Sequence, residues 1–141
     1  MELVQYDPKY RQRFIDLNTA WIKNNFGSLE KEDLKTSQEI DQEIANGAMI
    51  FFAIENNRVL ATCMTKPIHE DTWEICKLAT DEHDRGKGAG SKVFAKCMEY
   101  AILNNAKKLF ILSSSTLKPA LHIYQKNGFK EIKLDDYKYI R

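Results

Sequence analysis

"DRGKGAGSKVF", residues 84–94, gathers Gly86, Gly88 and Gly90 with Arg85, Lys87 and Lys92, then passes at once into an apolar-periodic run. Half of the chain's six glycines lie in this turn, so the backbone there is built to bend and to approach something closely. A glycine turn that opens a helix exposes unpaired backbone N–H groups at the positive end of the helix dipole, which suits a phosphate. Two familiar phosphate loops fail on spacing. G-x-x-x-x-G-K-S/T needs a Gly-Lys-Ser or Gly-Lys-Thr that the chain lacks. G-x-G-x-x-G begun at Gly86 meets Ser91 where glycine or alanine belongs, and Leu109 to Leu112 offer no ribose-binding acid downstream. What remains is R-x-x-G-x-G, carried by Arg85, Gly88 and Gly90.

Outward from this turn the hydrophobic period names the elements. Val93, Phe94, Cys97, Met98, Ala101 and Ile102 form the apolar stripe of a helix that ends near Asn104 and Asn105. "KKLFILSS" has the uninterrupted apolar centre of a strand covered on both faces. Upstream, "AMIFFAIEN", a turn at Asn56 and Asn57, "RVLATCMTKP" and "TWEICKLAT" read as three strands at hairpin spacing. "ELVQY" is a short first strand stopped by Asp7 and Pro8, followed by a helix whose apolar face holds Phe14, Leu17 and Trp21. "SLEKEDLKTSQEIDQEIANG" reads as one or two amphipathic, largely exposed helical turns closed by Gly47. Downstream, Pro119 opens a short helix through Asn127 with Gly128 as its cap, and "FKEIKLDDYKYI" returns to strand. The order β-α-α-β-β-β-turn-α-β-α-β predicts one α/β domain over residues 1–141, a mixed and mostly antiparallel sheet with helices on both faces.

Composition narrows the partners. Twenty-one basic and twenty acidic residues leave a net charge of +1, no whole-molecule field for nucleic acid or an anionic membrane. No stretch approaches the roughly 20 apolar residues of a spanning helix, and the first residues lack the apolar core of a signal peptide, so the cytoplasm is the expected compartment. Cys63, Cys76 and Cys97 are odd in number with no C-x-x-C pair, and His69, His83 and His122 show no ligand spacing to them, so neither a disulfide framework nor a metal site is expected.

The discriminating stretch is "LKPALHIYQKNGFKEI", some thirty residues past the glycine turn. With Ala120, Tyr124, Gly128 and Phe129 it carries A-x-x-x-Y-x-x-x-G-F, and together with Arg85, Gly88 and Gly90 it resembles the GNAT superfamily of acetyl-CoA-dependent N-acetyltransferases. The resemblance is firm from Thr72 to Ile132 and looser before it. It implies a GNAT-like fold whose fourth and fifth strands splay, and an enzyme that moves acetyl from acetyl-CoA to a primary amine of a small molecule or peptide by direct attack, with no metal. It implies that Arg85, Gly86, Lys87, Gly88, Ala89, Gly90 and Ser91 cradle the coenzyme pyrophosphate, and that Leu78, Ala79 and Thr80 pair with the pantetheine arm. Tyr124 then matches the general acid, and Glu74, eleven positions before Arg85, matches the glutamate base of histone-type members. Lys126 and Lys118 are assigned to the 3′-phosphate on charge. Dimerisation is common among such relatives, so a homodimer is a further expectation.

The chemistry is coherent residue by residue. An alkylamine with a pKa near 10.4 must lose a proton before it attacks, which Glu74 could take. A backbone N–H of the splayed strand, at Leu78, could hold the oxyanion, and the Tyr124 hydroxyl could protonate the departing thiolate. Strict alternation puts Glu74 on one side of its strand with Cys76, Leu78 and Thr80. Cys76 reads as a small buried hydrophobe rather than an acyl carrier. Leu117 stands where the family often has asparagine, which leaves a second reading open, a non-catalytic acetyl-CoA-binding module. The sequence identifies neither the amine acceptor nor acetyl over another acyl group.

Overall fold

The computed structural model describes residues 1–26, 39–84, 86–112, 123, 126–132 and 138–140. Strand β1 (Glu2–Gln5) leads through a 3₁₀ turn (Pro8–Tyr10) into helix α1 (Arg11–Phe26). The entry is set by residue type: Asp7 accepts from the Lys9 N–H at 3.0 Å, and Pro8 takes the first position, where its missing N–H costs nothing. A short helix α2 (Ile40–Ala45) precedes strands β2 (Met49–Glu55), β3 (Arg58–His69) and β4 (Thr72–Thr80). Asn56 and Asn57, with φ of 52° and 65°, close the β2–β3 hairpin in the left-handed conformation that a tight hairpin needs and asparagine tolerates. A 3₁₀ turn (Glu82–Asp84) and the glycine segment lead into α3 (Ala89–Leu103), then β5 (Lys108–Leu112), β6 (Lys130–Ile132) and β7 (Lys138–Ile140).

The seven strands form one sheet in the order β1-β2-β3-β4-β5-β7-β6. Every neighbouring pair is antiparallel except β4–β5, which is parallel. The α3 stripe of Val93, Phe94, Cys97, Met98 and Ala101 packs one face of the sheet on Phe51, Leu60, Trp73 and Ile75. On the other face Phe14 and Leu17 of α1 and Ile40 of α2 meet Ile50, Phe52, Met64 and Ala79. The mixed, mostly antiparallel sheet covered on both faces is thus as the sequence predicts.

Two expectations are corrected. "FKEIKLDDYKYI" holds two strands, β6 and β7, paired antiparallel. Ile102 is half exposed and lies off the α3 stripe. The segment at α2 is amphipathic and largely exposed, as expected: Glu39, Asp41, Gln42 and Ala45 are exposed, and Ile40 is fully buried. Burial of such a side chain contributes about 1.5–3 kcal/mol, which tethers a six-residue helix too short to persist alone. Residues 27–38 of that segment lie outside the described residues.

Candidate active site

Strand β4 departs from regular pairing twice, and both departures build the site. On its β3 side Thr62 faces Ala79 and Met64 faces Cys76, so Cys63 alone stands opposite both Lys77 and Leu78, a β-bulge. Lys77 takes φ of +56° to accommodate it. On its β5 side the partners are Thr72 with Lys108, Trp73 with Leu109 and Glu74 with Phe110, and there the pairing stops, although β4 runs on to Thr80 and β5 to Leu112. The predicted splay therefore begins after Glu74. Lys77 and Leu78 are the two bulge residues opposite Cys63, and they lie beyond the last residue of β4 that pairs with β5.

The bulge overturns the strict alternation predicted for β4. Trp73, Ile75 and Leu78 pack with the α3 core, and Thr80 Oγ1 lies against Gly90 of α3. Cys76 and Ala79 pack with the α1 and α2 core instead. Leu78 and Thr80 thus face α3, opposite Cys76. The extra residue at Lys77 inverts the pattern beyond it, and period-two counting carries no signal for such an insertion.

Past Thr80, the glycines have separable reasons. Gly86 (φ 87°) and Gly88 (φ 77°) have open space where a side chain would stand, so the left-handed backbone requires glycine there. Gly90 is limited by space: an added Cβ would stand 3.0 Å from Thr80 Oγ1. Gly88 is the N-cap of α3 and offers no side chain to the helix end, and the Lys92 N–H to the Gly88 carbonyl, 3.1 Å, is the first bond of the helix. The N–H groups of Ala89, Gly90 and Ser91 accordingly have no intrahelical acceptor. Ala89 and Gly90 are buried, Ser91 half-buried, and Gly86, Lys87 and Gly88 exposed. Arg85 lies outside the described residues.

Charged side chains that the sequence reading missed fix the approach to this turn. Asp84, 2% exposed, receives Arg58 Nη2 at 2.7 Å from the hairpin and Lys87 Nζ at 3.5 Å, and Lys87 also lies 3.7 Å from Glu55. Asp81 accepts the His83 N–H at 2.9 Å and an ion pair from Arg13. Burial alone would raise the Asp81 pKa, but these donors outweigh it and hold the group below its ordinary value.

Glu74 sits across the strand pair from Lys66, and the Thr65 hydroxyl donates to its carbonyl at 3.2 Å. Lys66 Nζ also approaches Glu43 of α2 at 3.4 Å. Burial works against the lysine charge, yet Cys76, Glu74 and Glu43 together keep its pKa above the ordinary value. No sequence pattern announces this cluster, because Glu43, Lys66 and Glu74 come from three elements. Desolvation first, and Glu74 next, push the half-buried Cys76 thiol well up, which agrees with an inert thiol. Cys63 and Cys97, far apart in sequence, meet in the α3 core, where burial and each other's proximity raise Cys97 strongly.

The second motif is visible at its end. Ile123 and Lys126 are helical, the Asn127 N–H donates to the Ile123 carbonyl at 3.2 Å, and Gly128 takes φ of 85° as the predicted cap. Phe129 is buried edge-on to Phe94, their centroids 5.6 Å apart. Lys126 is exposed. Tyr124, with Ser114 to Lys118 and Ala120, lies outside the described residues.

The sequence model of the acetyltransferase (GNAT) family matches residues 14–129, which include the β4 bulge and the glycine turn. The chain belongs to this family. It is 28% identical over 94 residues to an N-acetylaspartate synthetase of Danio rerio and 26% identical over 93 residues to the one of Homo sapiens, 64% of this chain in both cases. The aligned stretch is only 33% and 30% of those relatives, so the chain spans about a third of the curated proteins it matches. A GNAT-family acetyltransferase from Staphylococcus aureus Mu50 superposes with a TM-score of 0.87 at 21% identity, covering 99% of this chain and 97% of that one. A Brucella melitensis GNAT acetyltransferase solved in complex with acetyl-CoA superposes at 0.75 with 16% identity, covering 99% and 86%. Both share the fold.

Proposed function

We propose that the chain is an acetyl-CoA-dependent N-acetyltransferase whose acceptor is a primary amine, with a small amino acid as the favoured acceptor class. The observation that carries this is the junction of the β4 bulge, the splay after Glu74 and the N-terminus of α3. The N–H groups at Gly88 to Ser91 receive the pyrophosphate, and the pantetheine amide takes the strand position that β5 vacates beside Leu78, Ala79 and Thr80. Arg85, Gly86 and Lys87 complete the cradle, and Lys126 serves the 3′-phosphate. The amino-acid preference rests on the relatives named N-acetylaspartate synthetase.

In the proposed reaction the amine nitrogen forms a bond to the thioester carbonyl carbon, and its proton passes to Glu74 directly or through one water. Negative charge on the carbonyl oxygen is met by the N–H of Leu78 at the bulge; one such donor is worth about 2.7–4 kcal/mol in the transition state. The C–S bond then breaks, the sulfur takes a proton from Tyr124, and amide and coenzyme A leave. Lys66 faces Glu74 across the strand pair, and Glu74 helps to keep the lysine charged. Three free thiols suit a reducing compartment, the cytoplasm. Among the described residues no helix is long and apolar enough to cross a membrane.

The test is thiol release from acetyl-CoA over amino acids, polyamines, aminoglycosides and peptide N-termini, with thermal unfolding alongside. Acetyl-CoA should raise the melting temperature and Gly88→Glu should abolish that shift. No shift at millimolar acetyl-CoA refutes the coenzyme site, and a shift without thiol release for any amine favours the binding module.

A further inference from the structure

On the α1 side of the sheet, away from the helix that caps the glycine turn, a cavity of about 500 Å³ is lined by Lys9, Tyr10, Arg13, Asn57, Arg58 and Val59. Three of these six residues are cations. A chain whose net charge is +1 has no general surplus that would put them there. Arg13 and Arg58 are each offset by a carboxylate behind the wall, Asp81 and Asp84, so the uncompensated charge among the described residues is that of Lys9.

The two guanidiniums are anchored from behind. Arg13 donates to the Val59 carbonyl at 3.2 Å and pairs with Asp81, which is 12% exposed. Arg58 bonds Asp84, 2% exposed, and keeps 55% of its own side chain accessible. Each guanidinium has five N–H groups, so these bonds fix the forks and leave donors over. Lys9 is different: among the described residues its ammonium pairs with no carboxylate and lies 5.1 Å from the centroid of the Tyr10 ring. That ring is itself held against Phe52, centroids 5.1 Å apart. Two oriented forks, a lysine without a carboxylate and a fixed aromatic face converge on one hollow.

We propose that this cavity binds a small oxyanion, carried on a phosphate or on a dicarboxylate, on residues other than those of the glycine turn. Arg13 and Arg58 supply paired N–H donors, which match oxyanion geometry. Lys9 supplies the uncompensated charge.

The test is calorimetric titration of the protein saturated with coenzyme A, so that the glycine cradle is filled, at constant ionic strength. Inorganic phosphate is the probe in one arm and malonate in the other, which separates the two carriers. Saturable binding is expected in at least one arm, and Lys9→Gln should weaken it about tenfold, the loss of one charge-assisted contact. Arg58→Gln should do the same. Lys9→Gln is the primary variant because it breaks no ion pair of the fold, and an unchanged unfolding midpoint confirms this. Absence of saturable binding in both arms overturns the proposal, as does binding that neither variant weakens.

Discussion

Substituting Gly90 by alanine isolates the contact between α3 and β4 at the coenzyme end of the sheet. The new methyl would stand 3.0 Å from Thr80 Oγ1, with Ile123 Cδ1 and Leu78 Cδ1 at the ordinary distances of 3.8 and 4.0 Å. Only one neighbour has to give. Overpacking of this kind costs about 1–3 kcal/mol, and with a single crowded atom the lower end applies. Against it, alanine is favoured over glycine inside a helix by up to about 1 kcal/mol, less in the first turn. Gly90→Ala should therefore destabilise by about 0.5 kcal/mol. In a Thr80→Ala background the crowding atom is gone, and the same change should be neutral or mildly stabilising. The assay is a double-mutant cycle from urea unfolding, with a coupling of about 1 kcal/mol expected between residues in contact. Equal destabilisation by Gly90→Ala in both backgrounds would refute the reasoning, because the cost would then lie in something other than Thr80. Acetyl-CoA affinity measured on the same four proteins reports whether the helix start has moved.

Glu74→Gln should slow acetylation most at low pH and recover towards the pKa of the free amine, about 10.4; a uniform loss across pH removes Glu74 as the base. Tyr124→Phe should lower kcat more than it raises KM for acetyl-CoA, and an unchanged kcat across pH excludes Tyr124 as the acid. Asp81 has a folded pKa below its ordinary value of 3.8. Its stabilisation is therefore fully present above about that pH and fades as pH falls through the lower folded value, so wild type and Asp81→Asn should converge in urea midpoint on acidification. Cys97 is buried and its thiol is pushed up, so it should resist a thiol reagent at pH 8 until urea unfolds the chain.

Where one residue type answers one backbone demand, the sequence could be read directly. Gly86, Gly88 and Gly128 all take positive φ, and the turn before α3 and the cap before Phe129 follow from that. The α3 stripe was legible because five of its six apolar positions share one face. Legibility ended where neighbours decide. Lys77 takes a left-handed φ although lysine has no preference for it, so the bulge and the faces beyond it were hidden. "FKEIKLDDYKYI" contains Asp135 and Asp136, a residue type that disfavours strands, and a reading that gave them no weight merged β6 and β7. The ion pair from Arg58 to Asp84 joins residues remote in sequence through the β2–β3 hairpin, and only the folded register brings them together.

The bulge at Lys77 works like a change of reading frame within one strand. Before it, odd-numbered positions Trp73 and Ile75 belong to the α3 core; after it, even-numbered Leu78 does, while Ala79 joins the α1 core. The same kind of substitution therefore reports on different halves of the molecule according to which side of Lys77 it falls. Deleting Lys77 would remove the extra residue and leave Leu78 and Thr80 facing α3 by plain alternation, so the faces would survive while the bulge beside the opening was lost.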